Sequence, residues 1–106
     1  MEKLLADIKK HALQEFPKEC VGYVKKGRYH RLTNVANQPT KRYQLSTADK
    51  WLIISLGDSL DALGNSHPGM DNAPSGTDTM AQKSCGFPFW IIGTDGVNTT
   101  EIKEVS

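Results

Sequence analysis

The stretch EKLLADIKKHALQEF places Leu4, Leu5, Ile8, Ala12 and Leu13 along one side of a helix and its charges along the other. An isolated helix of this length is marginal in water, so the rest of the chain must cover that apolar stripe. With 106 residues in all, the cover has to come from one compact unit rather than from a second domain. Pro17 disfavours helical geometry at Phe16 and ends the helix there.

The segments that follow alternate between strand and helix signals. ECVGYV and RYHRLTNV, rich in β-branched and aromatic residues and joined by KKG, read as a hairpin, and KRYQLS reads as a third short strand. Ser46 and Asp49 resemble a capping box with a short acid, and Gly57 suits the residue that stops a helix, which predicts a helix between them with Trp51, Leu52 and Ile54 on its buried face. DALGNSHP then reads as a strand running into a loop, PSGTDTMAQKSCG as a loop entering a helix stopped at Gly86, and FPFWIIG as a buried strand. Asp95-Gly96 is a strong turn signal before a last strand in NTTEIKEV. Interspersed helices and strands of this kind imply an α/β or α+β fold, a mixed sheet flanked by helices, spanning residues 1–106 as a single domain.

Charge and cysteine usage narrow the functional classes. Thirteen Lys and Arg against twelve Asp and Glu leave a net charge of +1, too little to recruit nucleic acid or anionic lipid on its own. The basic residues that cluster, Lys25, Lys26, Arg28 and Arg31, surround the KKG turn without the interleaved aromatics of a nucleic-acid surface. Cys20 and Cys85 have neither Cys-x-x-Cys nor zinc-ribbon spacing, the N-terminus lacks the apolar core of a signal peptide, and no apolar run is of membrane-spanning length. The expectation is a protein of the cytoplasm with reduced thiols and no nucleic-acid or membrane partner.

Chemistry concentrates in LGNSHPGMDNAPSGTD, residues 63 to 78. His67 at a strand end and Asp78 in the first turn of the next helix are both good zinc-ligand types. Ser75-Gly76-Thr77-Asp78 also reads as a capping box, in which the serine hydroxyl and the aspartate satisfy free N–H groups at the helix start. Glu19 lies at the mouth of an apolar strand, where a carboxylate is costly to bury without a partner. From residue types alone, a metal site and a capped helix beside a turn both stand.

HALQEFPKECVGYV together with SHPGMDNAPSGTD resembles the JAMM metalloprotease family, also called JAB1/MPN/Mov34. The family pattern is a glutamate near the end of the first helix, His-x-His-Pro, a serine and an aspartate three residues later; here the spacing selects Glu19, His67, Ser75 and Asp78. HALQEFPKEC, TNVANQP, LSTAD and CGFPFWIIG further resemble the N-terminal domain of phage tail assembly proteins of the lambda K type. The resemblance implies the JAB1/MPN, cytidine deaminase-like fold, with one zinc held by His67 and Asp78, Glu19 as general base and Ser75 as oxyanion helper. The departure is Asn65, which stands where the pattern has its first histidine. An amide offers a neutral oxygen and no nitrogen lone pair, so zinc binding should be weakened or absent.

Two functions follow from the resemblance. One is a zinc metallopeptidase for a peptide or isopeptide bond, acting on the tail of a ubiquitin-like, β-grasp or phage tail protein and impaired by Asn65. The other is a non-catalytic module that docks such a partner. The cysteine peptidase domain of the NlpC/P60 type that is fused to this domain in lambda-like K proteins is not expected within residues 1–106.

Overall fold

A computed structural model of the chain describes residues 2–106. The elements run α1 (Glu2–Glu15), β1 (Val21–Lys25), β2 (Arg28–Leu32), α2 (Thr47–Leu56), a short 3-10 turn (Gly57–Ser59), β3 (Ala62–Pro68), α3 (Gly76–Cys85), β4 (Phe89–Thr94) and β5 (Lys103–Val105). The strands form one mixed sheet in the order β2-β1-β3-β4-β5. β3 and β4 are parallel, joined through α3, while every other neighbouring pair is antiparallel. This is the mixed α+β architecture expected of the JAB1/MPN fold.

Local chemistry explains most boundaries. Ser46 caps α2 by accepting from Asp49 N–H, and Gly57 (φ +47°) stops it. Ser75 and Asp78 close a reciprocal capping box on α3, which ends at left-handed Gly86. The β1–β2 turn places Lys26 and Gly27 both at positive φ, as a two-residue hairpin with the twist of its strands requires.

The sheet divides the core. On one face, Leu4, Ile8 and Ala12 of α1 pack with Cys20, Val24, Ala62 and Ile92. On the other, Val21, Leu63 and Phe89 meet Ile53 of α2, together with Leu60 and Phe87. Alternation along β3 assigns Ala62, Gly64 and Ser66 to the first face and Leu63, Asn65 and His67 to the second.

Three sequence expectations need correction. KRYQLS is not a strand: Asn34 holds that segment instead, its Nδ2 donating to the Arg42 carbonyl at 3.0 Å and its Oδ1 accepting from Gln44 N–H at 3.1 Å. A side chain has taken the place of a neighbouring strand as hydrogen-bond partner. In α2 the buried residue is Ile53, whereas Trp51 is 66% and Ile54 67% exposed. Three of the four residues in Trp51-Leu52-Ile53-Ile54 are of similar hydropathy, so periodicity could not choose the face; packing against Val21 and Leu63 does. The last strand is also shorter than NTTEIKEV suggests, because Thr99 makes only an isolated bridge to Thr94 before β5 begins at Lys103.

Candidate functional site

The carboxyl end of β3 faces the N-terminus of α3, the kind of crevice in which α/β sheets place ligands. His67, the penultimate residue of β3, directs Nε2 at Asp78 Oδ2, 3.1 Å away. Asp78 can meet it because the capping box fixes its rotamer: the same Oδ2 accepts from Ser75 N–H at 2.9 Å, while Ser75 Oγ accepts from Asp78 N–H. Capping and site chemistry, alternatives in the sequence, are here performed by the same two residues.

Glu19 arrives from the link between α1 and β1. Three long-range bonds seat it: its N–H donates to the Pro39 carbonyl, its carbonyl accepts from Asn34 Nδ2, and neighbouring Cys20 N–H donates to Ser66 Oγ on β3 at 2.8 Å. Ser66 N–H in turn donates to the Cys20 carbonyl, so the Glu19 segment is fastened along β3 beside Asn65 and His67. Glu19, His67, Ser75 and Asp78 line one cleft of about 650 Å³. All four residues selected by the motif are therefore brought together.

Electrostatics in the cleft are set by burial and by the His67–Asp78 pair. Burial pushes Glu19 up to about 7; nearby His67 opposes this, Asp78 adds to it and the Asn65 amide opposes it. The hydrogen bond that His67 donates to Asp78 raises its imidazole above the usual range against the effect of burial. Burial would raise Asp78, but the bonds from His67 and Ser75 outweigh it and hold the carboxyl low. Each member of the pair thus favours the charged form of the other, and the Glu19 carboxyl beside them is raised by burial.

Asn65 lies deeper, 3% exposed, between Val21 and Ile91 in the sheet. Its amide makes no hydrogen bond of good geometry, and the Glu19 carboxyl is the polar group that feels it. His67 and Asp78 supply two zinc-ligand types, but Asn65 supplies only a weak neutral oxygen, and no cluster of three His, Cys, Asp or Glu capable of holding a metal exists among the described residues. The residues present do not complete a zinc site.

The other candidate donors lie elsewhere. His11 is buried on the inner side of α1 with Nδ1 2.6 Å from the Tyr29 hydroxyl, His30 stacks on Tyr23, and Cys85 is exposed at the end of α3. Both cysteines are free, and no helix among the described residues is long and apolar enough to cross a membrane.

The comparisons with known proteins agree with the fold. The sequence matches the family of prokaryotic homologues of the JAB domain over residues 1–106. The chain belongs to that family. The JAB domain described here is 30% identical over 95 residues to the tail tip assembly protein K of Escherichia phage N15, covering 86% of this chain and 39% of the phage protein. The chain thus spans well under half the length of that relative. Among solved structures, a protein from Desulfitobacterium hafniense superposes with a TM-score of 0.63 at 18% identity, covering 100% of this chain and 88% of the other. A protein from Salinibacter ruber gives 0.58 at 24% identity, covering 98% and 78%. Both show the fold.

Sequence reasoning missed the opposite wall of the JAB cleft: Lys41, Arg42, Tyr43, Leu45 and Lys50. Tyr43 was read into a strand, and the signal that relocates it is Asn34, whose bonds to Glu19, Ala36, Arg42 and Gln44 fold the 33–45 segment over the site.

Proposed function

We propose that this JAB domain serves in phage tail assembly and carries the scaffold of a JAMM-type zinc metallopeptidase for a peptide or isopeptide bond, impaired by Asn65. The observation that supports it is the convergence of His67, Asp78, Ser75 and Glu19 on one cleft, with Glu19 at a proton affinity suited to a general base near neutral pH. His67 and Asp78 are the two residues that would hold zinc, and position 65 is where a third ligand belongs. Zinc would supply Lewis acidity toward a carbonyl and toward water. Glu19 would take or return a proton in the cleft, and Ser75, at the helix start, would present its hydroxyl to a developing oxyanion.

A second reading, a non-catalytic module that docks the tail of a ubiquitin-like or phage tail protein, is favoured by one observation: the unpartnered Asn65 amide in place of a ligand. Elemental analysis and calorimetry of the chain and its Asn65→His variant separate the two. The enzyme reading expects the variant to gain one tightly held zinc and to hydrolyse a β-grasp tail peptide, while the chain itself does neither well. A folded Asn65→His variant that takes up no zinc leaves only the docking module.

A further inference from the structure

The cleft does not end at His67 and Asp78. Tyr43, Leu45, Lys50 and Ala81 form a wall shared with a second pocket of about 270 Å³ between α2 and α3. Ile53, Leu63, Phe87 and Phe89 are the buried members of its lining, and Ile54, 67% exposed, stands at its lip. This pocket is below the roughly 300 Å³ at which small-molecule sites begin, and its apolar lining suits one large aliphatic or aromatic side chain.

The cleft carries three cations on this side, one of them at the junction of the two pockets. Lys41, Arg42 and Lys50 line the first pocket, and Lys50 lines the second as well. Among the described residues the only ion pair made by a lysine or arginine is Lys3–Asp7, far along the chain on α1. Arg42 donates to the neutral Gln38 side chain instead, and the Asp78 carboxylate is already engaged by His67 and Ser75. Glu19 shares the cleft, but neither it nor any other carboxylate among the described residues forms an ion pair with Lys41, Arg42 or Lys50, and an apolar socket opens beside these three cations. A ligand that satisfies both must present an apolar group and an acidic group in succession along one strand of chain.

We propose that the cleft selects an extended peptide in which a large apolar side chain fills the α2–α3 pocket and a neighbouring Asp or Glu meets Lys50 and the Lys41–Arg42 pair. The proposal rests on reading the cleft as a peptide site and adds the substrate class. Apolar burial supplies affinity, and the charge pairing sets register and excludes basic tails.

The test applies the purified chain to an array of immobilised random decapeptides at moderate ionic strength. The expected result is enrichment of peptides that carry Phe, Leu, Met or Trp within two or three residues of Asp or Glu. Enrichment of basic or glycine-rich peptides, or no binding above background, overturns the proposal. Ile54→Glu and Lys50→Glu change exposed positions of α2 and leave the core intact, as circular dichroism would verify. Ile54→Glu should remove the apolar preference and weaken the best peptides by about tenfold, the scale of losing one apolar contact in a pocket. Lys50→Glu should remove the acidic preference and shift selection toward lysine-containing peptides. Unchanged profiles in both variants also overturn it. The array needs no zinc, so an Asn65→His variant that stays metal-free leaves this result standing, and a zinc-loaded variant that cleaves peptides of a different class overturns the selectivity alone.

Discussion

The two faces of the sheet differ in how completely they are covered. Under α1, Leu4, Ile8 and Ala12 interlock with buried residues of three strands, and the Tyr29 ring lies so close over Gly22 that a Cβ there would stand 2.4 Å from it. Across the sheet, α2 and α3 leave a cleft, a pocket and exposed Trp51, Ile54 and Met80. The closed face holds the fold, and the open face keeps the unfilled space that a ligand requires. A site built on the α1 side would have to displace close-packed side chains.

The largest effect that would break this contrast is a truncation under α1. Ile8→Ala is expected to cost about 3 kcal/mol, as a buried aliphatic truncation that leaves a cavity, measured by urea denaturation. A loss below about 1 kcal/mol would mean that the α1 face relaxes freely and is no better packed than the cleft face.

Next in size is a pH effect that separates the faces by sign. Burial, with nearby Arg31, holds His11 at about 4 against an ordinary 6.5. The unfolded chain then binds more protons between those values, so this contribution is complete above pH 6.5 and is lost as pH falls toward 4. Glu19, raised to about 7 from 4.5, works oppositely: its contribution is present below pH 4.5 and is lost as pH rises toward 7. His11→Gln removes only the first. Between pH 5 and pH 7 the chain should therefore gain about 2 kcal/mol more stability than the variant does. Parallel pH profiles for the two proteins would show that His11 is not held neutral under α1.

The smallest effect belongs to the open face. Trp51→Ala should change stability by less than about 0.5 kcal/mol, as expected for an exposed position, despite the loss of the largest side chain type in the protein. A change above about 1 kcal/mol would place Trp51 in packing and close part of the gap between the two faces.

Much of the candidate site was legible because its parts are local. The Ser75–Asp78 capping box spans three residues, and His67 follows from strand alternation and a proline-bounded strand end. Glu19 stands out as a carboxylate at the mouth of an apolar strand, but only the motif ties it to His67 and Asp78, since nothing within its own segment shows that the Pro39 carbonyl, Asn34 and Ser66 fasten it beside β3. Lys41, Arg42 and Tyr43 were legible as residues but not as a wall, because the fold of their segment is set by one asparagine up to ten positions earlier.

By itself the sequence determined the helices, most of the strands, the turn at Lys26-Gly27, the caps of α2 and α3 and the departure at Asn65. Hydrogen bonds over a few positions and the periods of 3.6 and 2 act within each segment, so these features need no distant partner. Tertiary structure alone decided which side of α2 is buried, that Asn65 is left unpartnered, and that a basic wall and an apolar pocket continue from His67 and Asp78. Each of these depends on surfaces far apart in the chain competing for the same contacts, and only the packed molecule settles that competition.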